Sequence, residues 1–413
     1  MTASSVKTWH WIHKWTSLVC TIFALLLCIT GLPLIFIHEI DHALGNTTDP
    51  PELTADEAAE VARLGGRPRI DDMIEDARRR KPGHSVKFLS HDDDEKDRYY
   101  VSLGETPDAV QTSAVYAYDG RTGKMLSEYP LDEGVMRVIL RLHIDLFAGL
   151  PGMLFLGAMG LVLVASIVSG VVLYGPYMRK LVFGSIRTRR AARLLWLDVH
   201  NLIGIVTLGW FMIVSITGVI NTLSRPIFER WQATHLAEML APYRAEAMPP
   251  ESRSNAAAGE RPVVEGATQR ALESALARVP NSELSFMAFP GNPFAGPRQY
   301  VAFLRGDTPL REKLLTPVLL DAQDGRVLDT RELPTYVLAL LVSQPLHFGD
   351  YGGTPLKIVW LVLDLMSIVV LGSGLYLWLR KRTASAEAWR SPLAPTSASE
   401  AAVAAASAVE EAS

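Results

Sequence analysis

Four long apolar stretches decide most of what this 413-residue chain can fold into. They run roughly over 16–37, 153–174, 202–223 and 356–379, and each reaches the ~20 residues that a helix needs to cross a bilayer. In hydrocarbon the backbone must satisfy its polar groups within its own segment, so helices are the form these stretches take. Four crossings put both ends of the chain on one side of the membrane. The first stretch is too long for a removable signal peptide and lacks a small-residue cleavage site, so it reads as an anchor.

Composition agrees, since 49% of the residues are hydrophobic, more than an ordinary soluble enzyme carries. Cys20 and Cys28 are the only cysteines and share the first apolar stretch, which excludes a disulfide framework and a cysteine-based zinc or iron–sulfur site. Any redox centre must use other ligands. A net charge of −4 gives no hint of a nucleic-acid partner.

Basic residues set the orientation. Arg179, Lys180, Arg187, Arg189, Arg190 and Arg193 crowd the short connection between the second and third stretches; Arg380, Lys381 and Arg382 follow the fourth, and Lys7 and Lys14 precede the first. This places the termini and the short loop in the cytoplasm of a bacterial-type cell, the spans in its inner membrane, and the long connections 41–150 and 224–352 in the periplasm. Trp9, Trp11, Trp15, Trp196, Trp231 and Trp378 fall where an interfacial aromatic belt is expected. The Ala/Ser/Glu-rich tail from about 383 has little to bury and is expected to be disordered.

The second half of the chain lies on the first. His13 is followed at +17 and +18 by Thr30-Gly31, and His200 at the same offsets by Thr217-Gly218. His143 is followed at +26 and +27 by Ser169-Gly170, and His347 likewise by Ser373-Gly374. Between them, the turn Asp119-Gly120-Arg121-Thr122-Gly123-Lys124 is similar to Asp321-Ala322-Gln323-Asp324-Gly325-Arg326, each after a β-rich run. Helical patterns at 56–64, 70–80 and 267–278 precede those runs. The expected fold is a membrane α-helical protein: a four-transmembrane-helix bundle from two repeats, each with an inserted periplasmic α+β domain.

One histidine near a membrane is usually an interfacial residue, but four at repeated positions suggest ligands, because coordinating groups at membrane depth are costly. Topology pairs His13 with His200 on the cytoplasmic side and His143 with His347 on the periplasmic side. Two imidazoles facing each other in a helix bundle form the axial set of a b-type haem, so two haem b groups are expected, with iron held by those four residues. The absence of a CxxCH motif excludes covalent attachment. At a rise of about 1.5 Å per residue, Thr30-Gly31 and Thr217-Gly218 lie about 25–27 Å outward from His13 and His200, near the periplasmic histidines, while Ser169-Gly170 and Ser373-Gly374 lie deep, towards the level of His13 and His200. The small residues are expected to leave room there for a porphyrin face, although close helix packing also uses them. Arg137 and Arg141 are candidates for haem propionates, with Arg179 or Lys14 on the inner side, and His10 and His38 are rival ligands.

His38-Glu39-Ile40-Asp41-His42 matches H-E-x-x-H, a zinc-peptidase pattern, with His84 and His91 as external candidates for a third ligand. Interfacial polar residues account for it as well. His235 stands alone and reads as a surface residue.

The combination of His13-Lys14-Trp15, Thr30-Gly31, Arg141-Leu142-His143, Leu197-Asp198-Val199-His200 and Pro345-Leu346-His347-Phe348-Gly349-Asp350-Tyr351-Gly352-Gly353 resembles the PepSY-associated transmembrane family over about residues 5–382. The external turns are similar to those of PepSY domains. Expected boundaries are 1–40 for the N-terminus and first span, 41–133 and 225–331 for the two PepSY-like domains, 134–178 and 332–382 for interfacial helix plus span, 179–196 for the basic loop, 197–224 for the third span, and 383–413 for the tail. The resemblance implies bis-histidine haem ligation and reduction of Fe(III)-siderophore or another periplasmic electron acceptor, an oxidoreductase activity. Without a G-x-G-x-x-G segment or flavin domain, the expected donor is quinol or a cytoplasmic reductase. A PepSY-type binding or regulatory membrane protein without redox activity is the alternative, and a zinc peptidase the third.

Overall fold

The computed structural model describes residues 2–91, 95–131, 134–178, 182–188, 191–243, 266–308 and 311–390. The chain begins with α1 (Ala3–Leu34), short α2 (Ile37–Ala43), α3 (Ala55–Arg63) and α4 (Ile70–Arg80). Strands β1 (Ser85–His91), β2 (Arg98–Gly104), β3 (Ala114–Asp119) and β4 (Met125–Glu128) follow, then α5 (Val135–Ile144), α6 (Leu150–Met178) and α7 (Ala192–Thr222). After α7 come α8 (Ser224–Trp231), a π-helical turn (Gln232–Leu236), α9 (Ala237–Leu240) and α10 (Ala267–Arg278). Strands β5 (Ser282–Ala288), β6 (Gln299–Gly306), β7 (Leu315–Asp321) and β8 (Val327–Thr330) lead to α11 (Thr335–Phe348) and α12 (Gly353–Arg390).

Segments Ser4–Leu34, Leu150–Gly175, Ala192–Thr222 and Gly353–Arg380 are long and apolar enough to cross a membrane. The first and third helices start well before the apolar stretches read from sequence, so His13 and His200 sit within helices rather than at their beginnings. Capping explains part of this, because the Thr2 side chain accepts from the Ser5 N–H and fixes the start of α1. The four long helices close a ring in which α1 packs on α6 and α12, and α7 packs on the same two. Ala24, Cys28, Phe211 and Leu371 form its buried centre. At one end, the Arg187 guanidinium grips buried Asp198 at 2.7 and 2.9 Å, fastening the basic connection to the start of α7. Arg179, Lys180, Arg189, Arg190 and residues 391–413 lie outside the described residues.

Both external segments contribute to one antiparallel sheet of order β4-β3-β2-β1-β5-β6-β7-β8, joined where Leu89 faces Met287. The expected turns close each meander alike. Asp119 N–H donates to Lys124 carbonyl at 2.9 Å and Asp321 N–H to Arg326 carbonyl at 3.0 Å, with Gly123 and Gly325 at φ +71° and +76°. Amphipathic α4 and α10 cover one sheet face, burying Ile70, Met73, Ile74, Ala271, Leu272 and Ala275 against Leu89, Leu103, Met287 and Leu304. On the other face, Phe303, Val301 and Leu319 pack under α8, α9 and α11 around Trp231. Trp231 is only 1% exposed, which removes it from the interfacial belt, whereas Trp11, Trp15 and Trp196 are exposed as belt residues must be. His235 is half-buried rather than on the surface, its Nδ1 2.9 Å from Thr234 Oγ1 and 3.3 Å from Tyr336 Oη.

Candidate functional site

Each of the four repeated histidines is seated on a neighbouring helix in the same way. His13 Nδ1, on α1, lies 2.9 Å from the Ser166 carbonyl and 3.1 Å from Ser169 Oγ, on α6. On α7, His200 Nδ1 lies 3.0 Å from both the Val370 carbonyl and Ser373 Oγ, on α12. The His347 ring on α11 reaches the Val214 carbonyl at 3.0 Å and Thr217 Oγ1 at 3.3 Å, on α7. From α5, His143 Nδ1 reaches Thr30 Oγ1 at 2.9 Å, on α1, and is also bonded to the Leu27 backbone.

Those partners fix the tautomer. A carbonyl can only accept, so each Nδ1 carries the proton and donates. The hydroxyls confirm the direction: Ser169 and Ser373 each donate to the carbonyl three residues back at 2.8 Å, and Thr30 and Thr217 donate four back at 2.7 Å. Their oxygens are therefore free to accept from the imidazole. Nε2 is left with a lone pair, the form in which histidine binds a metal, held in orientation by the bond at the other nitrogen. Among the described residues no Nε2 of the four has a hydrogen-bond partner. Burial, with His347 nearby, pushes His143 down to about 3, and burial pushes His347 down to about 4, so both rings are neutral.

The glycine of each small pair supplies the space. A methyl group at Gly170 or Gly218 would stand 3.1 Å from Cε1 of His13 or His347; at Gly374 and Gly31 the distances to His200 and His143 are 3.3 and 3.4 Å. The room expected for a porphyrin face is thus occupied by the imidazoles themselves. The reason is reach: a ring must lie flat on the neighbouring backbone for its Nδ1 to meet a carbonyl already engaged in the helix.

His143 and His347 face each other with ring centroids 6.3 Å apart. Two imidazoles bound through Nε2 to one metal, at about 2 Å per bond and with each ring centre roughly 1.2 Å beyond its nitrogen, would have centroids about 6.4 Å apart. The spacing of the outer pair matches that of two imidazoles sharing one metal ion. His13 and His200 lie within electrostatic reach of each other at the inner level.

The rival residues are placed elsewhere. His10 is exposed one turn from His13, and His38 is exposed on α2. Arg141 pairs with Asp145 at 3.3 Å and lies over the Phe147 ring, and Arg137 is exposed on α5. Lys14 lies over Trp15. The H-E-x-x-H segment is used structurally: Glu39 bonds Lys357 at 2.9 Å and His42 bonds Asp49 at 2.8 Å. His84 meets the Pro82 carbonyl and His91 the Lys96 carbonyl, and no cluster of three or more metal-ligating side chains exists among the described residues.

Sequence reasoning missed the carbonyls of Leu27, Ser166, Val214 and Val370. Their signal was available, since each precedes a hydroxyl residue of a small pair by three positions, one helical turn. It also missed Asp364, a buried carboxyl in α12.

A model of the family described as the PepSY-associated TM region matches residues 10–381. A curated relative, "Uncharacterized protein PA4219" of Pseudomonas aeruginosa, is 27% identical over 267 residues, which covers 61% of this chain and 65% of the relative. The match therefore spans less than two thirds of that relative's own length.

Proposed function

We propose, for a chain that belongs to the PepSY-associated TM region family, that it is a di-haem oxidoreductase which passes electrons across a bacterial inner membrane to a periplasmic acceptor. The observation that carries this reading is the fourfold seat: four imidazoles, each with Nδ1–H bonded to a helix carbonyl and Nε2 without a hydrogen-bond partner among the described residues. His13 and His200 would hold the inner haem, and His143 and His347 the outer one. When bound, each haem supplies a one-electron iron centre of the b type.

The chain's own residues do the rest. Their hydrogen bonds to main-chain carbonyls strengthen the imidazoles as ligands and prevent the rings from turning. Ala24, Cys28, Phe211 and Leu371 keep water out of the bundle between the two levels. The inner level faces the basic connection, which the positive-inside rule assigns to the cytoplasm together with both termini. Quinol or a cytoplasmic reductase would deliver electrons there. The outer level faces the sheet, where an Fe(III)-siderophore would be reduced, and hard oxygen ligands hold the resulting Fe(II) less tightly. The matched seats and meanders support an origin in two copies of one unit, each with a PepSY-like insertion.

The visible spectrum and pyridine haemochrome of protein purified in mild detergent test this reading, alongside His13→Ala and His347→Ala. Two b haems per chain are expected, with one lost in each variant. Colourless protein from haem-replete cells would overturn it.

A further inference from the structure

One ionisable side chain in the membrane has no part in the seats described above. Asp364 is 5% exposed on α12, eleven residues or about 16 Å below the outer end of that helix. Carboxyls at this depth are expensive to keep and tend to be retained for function. No cation pairs with it among the described residues; its hydrogen-bond partner is the Cys28 thiol of α1.

Its position breaks the symmetry of the four seats. At Gly170, Gly218 and Gly374, the atoms nearest to an added methyl group belong to the seated histidine. At Gly31 it would stand 3.4 Å from His143 Cε1 and 3.7 Å from Asp364 Oδ2. Asp364 and His143 therefore both border Gly31. The matching position in the first half, nine residues before Ser169 as Asp364 is nine before Ser373, is Gly160, which carries no charge. Near the inner level the buried carboxyl is Asp198, which the Arg187 guanidinium holds at 2.7 Å.

We propose that Asp364 couples a proton to the electron: when the outer centre gains one electron, the Asp364 carboxylate takes one proton from the external water and becomes the neutral acid, and it releases that proton when the electron leaves. This rests on the reading that His143 and His347 hold a haem. The physical reason is charge balance, because an added electron in a low-dielectric bundle repels a nearby carboxylate strongly and protonation removes the repulsion. The groups facing Asp364 leave it that role. Cys28 comes from α1; His143 and His347 have Nδ1 committed to carbonyls, and their Nε2 atoms would hold the metal. On its own helix Lys357 is held by Glu39 at 2.9 Å. Helix α7 carries no titratable residue between His200 and its end, and α6 none before Tyr174.

Spectropotentiometric titration at pH 6, 7 and 8 tests the proposal on wild type, Asp364→Asn and Asp364→Glu. In wild type one centre's midpoint falls with pH, approaching 59 mV for each tenfold change in proton concentration, and the other stays level. Asp364→Asn abolishes that slope with both haems retained, and Asp364→Glu restores it. Reduced-minus-oxidised infrared spectra of the wild type need no variant and should show a carboxylic-acid carbonyl band appearing on reduction. Two pH-independent midpoints in wild type, a slope that survives in Asp364→Asn, or no such band would overturn the proposal while leaving the haem reading intact. Colourless wild-type protein would overturn both.

Discussion

Inside the bundle, the first half of the chain seats His13 and His143 as the second half seats His200 and His347, down to the same carbonyl and hydroxyl partners. Outside it the halves part. Helix α1 passes through the seven residues of α2 to its external segment, whereas α7 continues into α8, a π-helical turn and α9, which bury Trp231, Leu236 and Met239 against the sheet. The first half has no matching layer over β1–β4 among its described residues. Where geometry is dictated by a ring that must reach a carbonyl, the halves agree; where burial alone is required, they use different residues.

The largest expected effect breaks the external half of that comparison. Trp231→Ala should cost about 3–5 kcal/mol by opening a cavity at the centre of the second-half core. Thermal unfolding of the external region, followed by near-ultraviolet circular dichroism, would show a clear loss of stability while the haem spectrum persists. An unchanged transition would mean that α8 and α9 contribute no more than their absence does in the first half.

The second prediction sharpens the agreement within the bundle. Gly218→Ala and Gly170→Ala push a methyl group to 3.1 Å from the ring and should weaken haem retention by roughly tenfold or more at the outer and inner level respectively. Gly31→Ala, at 3.4 Å, should be the mildest of the four glycine variants. Haem content after dialysis against a haem scavenger measures the order, and a Gly31→Ala effect equal to the others would refute it.

Removing only the hydroxyl of a seat is gentler, because the carbonyl still accepts from Nδ1–H. Thr217→Val and Ser373→Ala should each cost about 1 kcal/mol, a less than tenfold change in haem affinity. Equal losses at the outer and inner levels are expected from equal geometry, and a large one-sided loss would show that one seat relies on its hydroxyl.

Glu39→Gln should have the smallest effect. Burial alone would raise its pKa, but the hydrogen bond and charge of Lys357 outweigh it and hold Glu39 below the usual carboxylate range. Stability from this pair is therefore complete above that usual range and is lost as pH falls through the lowered value. With Glu39 nearly half exposed, the contribution is below about 1 kcal/mol. An acid-side melting series in which wild type and Glu39→Gln run parallel would exclude the pair as a stabilising contact.

Much of this was legible in the sequence. Apolar length gave the four spans, and the offsets from His13 and His200 to Thr30-Gly31 and Thr217-Gly218 gave the two histidine levels. The helical patterns over 56–64, 70–80 and 267–278 lie where α3, α4 and α10 form. Trp231 was misread because a tryptophan near a span end has the same local sequence whether it meets lipid headgroups or a sheet. The structural use of the H-E-x-x-H segment was not legible for a similar reason: its spacing is local, while Glu39's partner, Lys357, is more than three hundred residues away.

By itself, then, the sequence determined what local periodicity and composition can encode: four membrane helices, paired histidine levels and two strand-rich segments. Only the tertiary structure decided that β1 and β5 join these segments into one sheet, that the small residues seat imidazoles, and that Asp364 stands beside Gly31. Each of those depends on contacts between distant parts of the chain, and such contacts are set by which surfaces can bury one another rather than by any local pattern.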